Sequence, residues 1–372
     1  MTSGSRVRLA VAAAGAALLT GCSADTPATP RGVETFPTAP PRASASVPSS
    51  RAPGRPDLAR PQTIATGLEV PWGLAFLPDG SALVSERDSG RILRIPAGGG
   101  DPRPVHQVAG VDPGGEGGLL GLAVDPEYSR NRYVYAYFTA SGDNRIIRFT
   151  LDGGAPRLIL DGIDKAGVHN GGRIAFGPDG MLYVGTGDAG ERQSSQDPRD
   201  VNGKILRITR DGRPAPGNPR ADSPVWSLGH RNVQGLAWDA SGTMYGIEFG
   251  QNTWDEVNVI EPGKNYGWPE VEGRAGDSRY VDPIVQWSTD EASPSGAAVI
   301  GNTLYVAALR GQRLWTVPLR GGSPEAKFVG EYGRLRTVVV APDGALWLTT
   351  SNRDGRGDPR DGDDRILRFP PG

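Results

Sequence analysis

Beyond residue 57 the chain repeats one pattern of apolar and polar positions. An apolar segment ends in a polar turn such as Pro178-Asp179-Gly180; a short apolar stretch like Leu182-Tyr183-Val184 follows, and then a segment like Lys204-Ile205-Leu206-Arg207-Ile208. Short apolar or alternating runs bounded by Gly, Pro and Asp mark β-strands. The turns fall near Gly80, Arg130, Gly180, Gly242, Gly301 and Gly344, and the strands after them at 91–95, 145–149, 204–208, 256–260, 313–317 and 365–369. A further short strand follows most cycles, at 105–108, 158–160, 225–228 and 327–329. Multi-stranded repeats of about 40 to 60 residues are the mark of propeller blades. The last cycle stops at Gly372 without its outer strand, and 62–66 has the character to supply it. The pattern predicts an all-β domain over 58–372, a six-bladed β-propeller of four-stranded antiparallel blades with its ring closed by the N-terminal strand.

The first 57 residues break the pattern. Arg6 and Arg8 precede an apolar run over 9–19, too short to span a bilayer and of signal-peptide type. Leu19-Thr20-Gly21-Cys22 resembles a bacterial lipobox, and Cys22 is the one cysteine of the chain. Residues 1–21 are thus expected to be a lipoprotein signal peptide, Cys22 the lipidated residue, and 22–57, rich in Pro, Ser and Ala, a disordered tether. This places the protein outside the cell, anchored on the outer face of the membrane.

Composition narrows the function classes. With 54 Gly and 33 Pro in 372 residues, a helical bundle is excluded. One Cys and three His leave no disulfide framework and no Cys/His zinc site. A formal charge of −2 argues against nucleic acid as a partner. Nucleophile elbow, Walker loop and His-Glu-x-x-His motifs are absent from the sequence.

In a propeller the loops leading into the innermost strands converge at one end of the axis. The repeat register assigns these to 69–73, 112–118, 168–173, 230–234, 293–295 and 333–336, which carry Glu116, His169, Arg173, His230, Arg231, Asn232, Arg334 and Arg336. A net positive ring of this kind suits a polyanionic small molecule. His169 suits a general base, because histidine exchanges a proton near neutral pH. His230 is open between structural support and ligand contact, whereas His106 falls in an outer strand. Arg334 and Arg336 share a face and suit carboxylate recognition. The run 250–256 offers carbonyls and the carboxylates of Asp255 and Glu256 to calcium. The run 354–364 reads as a solvated acidic loop, and the insert 187–203, with Asp188, is expected to project over the channel mouth.

Taken together, Gly117-Gly118-Leu119-Leu120-Gly121, His169-Asn170-Gly171-Gly172-Arg173, Gly185-Thr186-Gly187-Asp188, Gly229-His230-Arg231-Asn232, Asp255-Glu256, Asn265-Tyr266-Gly267-Trp268-Pro269 and Arg334-Leu335-Arg336 resemble the soluble glucose/sorbosone dehydrogenase family, the pyrroloquinoline quinone (PQQ) dependent aldose sugar dehydrogenases. The resemblance runs in order through nearly all of 60–372 and implies a six-bladed propeller. It implies oxidation of an aldose at the anomeric carbon to its lactone, with PQQ and calcium as cofactors and an external or membrane electron acceptor. His169 matches the base that takes the anomeric hydroxyl proton, and Arg231 the arginine beside the reacting quinone carbonyl. Glu116, Asn232, Arg310, Arg334 and Arg336 match cofactor-binding positions. Gly250 and Gln251 match the carbonyls that hold calcium, and Asp255, Glu256 and Tyr266 further calcium ligands. Val168 stands where some members carry an Asp beside the base, which predicts a His169 lacking that partner; Glu116 stands where Gln is usual, and Phe249 and Gln251 replace a polar residue and a Pro. A non-catalytic propeller that binds carbohydrate or protein, or a calcium-dependent lactonase, are the alternative functions.

Overall fold

The Leu-Tyr-Val-type segments become the second strand of each blade and are buried along their whole length, as at Ala82–Glu86, Leu182–Gly185, Thr303–Ala308 and Leu346–Thr350. Such strands are sandwiched between neighbouring blades, so both faces must be apolar. The computed structural model describes residues 54–372, and in it the strands form six four-stranded sheets. Five blades follow the chain from innermost to outermost strand. Their innermost strands are Pro71–Phe76, Leu119–Val124, Ile174–Phe176, Val233–Trp238 and Pro294–Ile300, and the sixth blade begins with Leu335–Val340. In the sixth blade Gln62–Ala65 pairs antiparallel with Ile366–Phe369, Gln62 opposite Arg368. The N-terminal strand therefore closes the ring, as the missing outer strand of the last cycle predicted.

Closure reaches two residues further back than expected. Pro56 bridges Pro371, and the Asp57 N–H donates to the Pro370 carbonyl at 2.7 Å. The signal peptide, Cys22 and nearly all of the tether lie outside the described residues. The outer strand of the fourth blade, Val285–Ser288, escaped the repeat pattern because the insertion 261–284 separates it from its neighbour. Arg148, in the third strand of the second blade, is buried, stacked 4.0 Å from the Tyr133 ring and donating to the Arg210 carbonyl.

There is no single core. Apolar clusters form between each pair of neighbouring blades, such as Leu120, Tyr135 and Tyr137 against Ile174, Leu182 and Leu206, or Val257 and Trp287 against Val306 and Trp315. Each fully buried Leu or Ile contributes about 1.5–3 kcal/mol, so the blades stabilise one another laterally. Toward that axis, space is set by glycine. A Cβ at Gly121 would lie 2.2 Å from the Gly172 carbonyl oxygen, and one at Gly235 would lie 2.3 Å from the Ser295 oxygen. Gly73 and Gly296 hold the same place in their blades, and Arg173 and Thr337 occupy it in the third and sixth.

Candidate active site

In a four-stranded meander the loops leading into the innermost strand and those joining the second to the third strand emerge at the same end. Here both sets build the site. His169 precedes the innermost strand of the third blade, and Asp188 lies after the second strand of that blade. His169 has φ of 54°, a left-handed conformation that a non-glycine residue keeps only when its surroundings hold it. Its N–H donates to Glu116 Oε2 at 3.0 Å, and its carbonyl accepts from Ala189 N at 3.2 Å. A Cβ on Gly187 would fall 1.8 Å from that carbonyl oxygen, so only glycine allows the approach.

This backbone aims the imidazole between two partners. Nδ1 lies 2.7 Å from Asp188 Oδ1, and Nε2 lies 2.7 Å from Arg231 Nη2. A guanidinium only donates, so Nε2 presents its lone pair to Arg231 and Nδ1 carries the proton given to Asp188. Asp188 is fully buried and also accepts from Gly190 N and from Trp268 Nε1, each at 2.8 Å. Burial pushes its carboxyl up, but the His169 and Gly190 hydrogen bonds and the Trp268 donor outweigh this and hold it below the usual carboxylate range. The orienting carboxylate that Val168 fails to supply is therefore present, delivered from a different loop.

Arg231 is fixed by three elements. Its N–H donates to Glu248 Oε2, its guanidinium to Gln251 Oε1 and the Phe249 carbonyl, and it lies 5.4 Å from the Trp268 ring. Burial lowers its pKa. His230, open on sequence grounds, is a support: it is fully buried, bonded to Glu248 and Ser227 at 2.8 Å and stacked on Tyr266 at 4.7 Å. Asn232 accepts from Gly171 N at 2.9 Å and ties the two loops together. His106 stacks on Phe149 at 4.1 Å, far along an outer strand.

The arginine pair has an anionic neighbour already. Arg334 donates to Asp354 Oδ2 through Nε at 2.9 Å and Nη2 at 2.8 Å, and Arg336 reaches the same oxygen at 3.7 Å. Burial pushes Asp354 up, but these two guanidiniums outweigh it and keep it below its ordinary range. Residues 354–364 are thus not a solvated acidic loop: Asp354, Asp363 and Asp364 are buried and accept from Arg334, Asn352, Arg365 and Thr350. One carboxylate for two guanidiniums leaves positive charge over, and Arg336 Nε is buried with no partner. Arg87, Arg336 and Arg356 border a small cavity with Glu116 and Asp354. An anion with several carboxylates suits this surplus. Arg310 does not line this cavity, although its neighbour Leu309 does; its side chain is 62% exposed and paired with Asp290.

Glu116 pairs with Arg356 at 3.0 Å and stands 3.5 Å from Asn232 Nδ2. Burial raises its pKa, but the His169 N–H and Arg356 outweigh this and lower it overall. Exchanging it for Gln removes one negative charge and releases the Arg356 cation. We expect Glu116→Gln to tighten binding of a polyanion at this mouth about threefold to tenfold, as read by direct titration; weaker binding would show that Arg356 needs its partner to stay in place.

The calcium assignments divide. The Gly250 and Gln251 carbonyls accept no hydrogen bond among the described residues and are open to a cation. Their loop is pinned by Glu272 Oε1, which accepts from the N–H groups of Gln251, Asn252, Thr253 and Trp254 at 2.7–3.1 Å. Asp255 spends both oxygens on Gly250 N and Ser293 N, and burial pushes it up to about 7. Glu256 accepts from Gly273 N and Asn258, and burial together with Glu248 pushes it up to about 8. The Tyr266 hydroxyl is turned to Val259 O and Glu261 N. These three side chains are thus engaged within the protein. No group of three His, Cys, Asp or Glu among the described residues is disposed to hold a metal.

Comparison with known proteins comes to the same place. Residues 68–367 match the family described as Glucose / Sorbosone dehydrogenase. The fold is similar to the PQQ-bound aldose sugar dehydrogenase of Streptomyces coelicolor, with 54% identity over 84% of this chain and 99% of that one and a TM-score of 0.81. The aldose sugar dehydrogenase YliI of Escherichia coli is 28% identical over 77% of this chain and 89% of its own length. Quinoprotein glucose dehydrogenase B of Acinetobacter calcoaceticus is 33% identical over 59% of this chain and 54% of its length.

Proposed function

Because the chain belongs to the glucose/sorbosone dehydrogenase family, we propose that it is a PQQ-dependent sugar dehydrogenase that oxidises an aldose at its anomeric carbon to the lactone. The observation that carries this is the His169 imidazole, with its Nε2 lone pair aimed into the mouth and its Nδ1 proton held by Asp188. Arg231 caps that lone pair; an anomeric hydroxyl replaces the guanidinium and passes its proton to Nε2, and the imidazolium formed is stabilised by Asp188. The displaced Arg231 stays within the mouth, where it faces negative charge developing on a bound acceptor. Arg334 and Arg336 would hold the carboxylates of PQQ, with Glu116 and Asn232 at its edge, and the Gly250 and Gln251 carbonyls would hold calcium. PQQ supplies the hydride acceptor. Sugar and an external or membrane electron acceptor are the partners, and the lipobox at Cys22 supports export and anchoring on the outer face of the membrane.

The test is reconstitution of the purified chain with PQQ, with and without calcium, followed by dye reduction against a panel of aldoses. We expect PQQ to bind at micromolar concentration and calcium to raise turnover. Absence of PQQ binding at that concentration would sink the proposal, whereas PQQ binding with no aldose oxidised would leave a cofactor-binding propeller with no sugar dehydrogenase activity.

A further inference from the structure

The innermost strands admit only a small residue where they approach one another, and four blades place Gly73, Gly121, Gly235 and Gly296 there. The third blade breaks the rule with Arg173. Its side chain crosses the axis: Nε donates to the Gln234 carbonyl at 2.7 Å, Nη2 donates to Thr337 Oγ1 of the opposite blade at 3.1 Å, and the guanidinium lies 4.3 Å from the Trp72 ring. Trp72, Thr337, Gln234 and Arg336 complete the plug, with Thr337 donating to the Trp72 carbonyl and Arg336 to Gln234 Oε1. The plug divides the channel. Above it is the mouth already described; below it is a cavity of about 540 Å³ walled by Leu74, Leu122, Leu236, Val299 and Val340, with Arg173 as its cation.

Arg173 is 8% exposed and has no carboxylate partner among the described residues, and its Nη1 takes no hydrogen bond there. Its nearest charged neighbour is Arg336, a like charge. Burial and Arg336 push it down to about 9, so it stays a cation at neutral pH. A buried, unpaired cation is costly unless an anion reaches it. We propose that the lower half of the channel is a binding site for a small organic monocarboxylate, whose carboxylate meets Arg173 and whose apolar body fills the cavity. A cavity of this size is in the range of ligand pockets, and the side chains that line it are apolar apart from Arg173, which leaves one cation to converge on a ligand.

The probe is octanoate, titrated calorimetrically into the full chain. One molecule per chain is expected to bind with Kd below about 1 mM, and octanamide, which lacks the charge, at least about tenfold more weakly. Arg173→Gln should weaken octanoate binding by about tenfold or more and Arg173→Lys by less, since it keeps the charge. Val299→Asp, a like charge for the ligand in the cavity wall, should weaken it also, whereas Arg334→Gln at the opposite mouth should leave it unchanged. Equal affinity for octanamide, no binding at millimolar octanoate, or loss of binding in Arg334→Gln with retention in Val299→Asp would each overturn the proposal.

Discussion

His169→Ala is expected to lower kcat for aldose oxidation between about a hundredfold and ten-thousandfold, the range for loss of a positioned general base, while PQQ still binds. The separation follows from geometry. The arginines assigned to the cofactor carboxylates, Arg334 and Arg336, are held by Asp354 and Gln234 and make no contact with the imidazole. His169 meets only Asp188, Glu116, Arg231 and the backbone around them. Removing the ring frees Arg231, whose other bonds to Gln251 and Phe249 keep it in place. Two measurements check this: dye reduction at saturating sugar, and PQQ titration of the same sample. Equal turnover in the variant would remove the base assignment, and loss of PQQ binding would show that His169 shapes the cofactor site instead.

The ring of six blades was legible because strand period and turn chemistry are local properties, and even closure could be read from a last cycle lacking its outer strand. The site was half legible. Loops leading into innermost strands could be identified by register, and they carry His169, Arg231, Asn232, Arg334 and Arg336. The loops joining second to third strands reach the same mouth; of their contributions Arg87 and Arg356 were missed, Asp354 was read as solvated charge, and Asp188 was placed over the mouth without its pairing to His169. A signal existed: a meander brings both loop sets to one end, so an Asp just after a second strand, as in Gly187-Asp188, is placed to meet the ring. Which carboxylate pairs with which cation was not legible, since Glu116 and Arg356 are 240 residues apart. Arg310 matches a cofactor position through the resemblance alone, and its exposed side chain pairs with Asp290.

Asp188→Asn is the second large effect, and its cause is donor and acceptor matching. Asp188 receives three donors and offers none: His169 Nδ1 and Gly190 N on one oxygen, Trp268 Nε1 on the other. An amide has one donor end. Placed toward Trp268 it opposes the indole N–H; placed toward His169 it opposes Gly190 N and donates to Nδ1, which moves the imidazole proton to Nε2. In that tautomer the base has no lone pair facing the mouth, and Nε2–H opposes the Arg231 guanidinium as well. Leaving one buried donor unmatched costs about 1–3 kcal/mol of stability, and a wrong tautomer lowers kcat by about a hundredfold to ten-thousandfold. Trp268→Phe separates the two consequences: it deletes the indole donor but leaves the Asp188–His169 pair, so thermal stability should fall while kcat changes less than about tenfold. If Asp188→Asn and Trp268→Phe lose turnover equally, Asp188 acts through loop stability alone; if only Asp188→Asn does, with KM and PQQ affinity unmoved, it sets the proton position on His169.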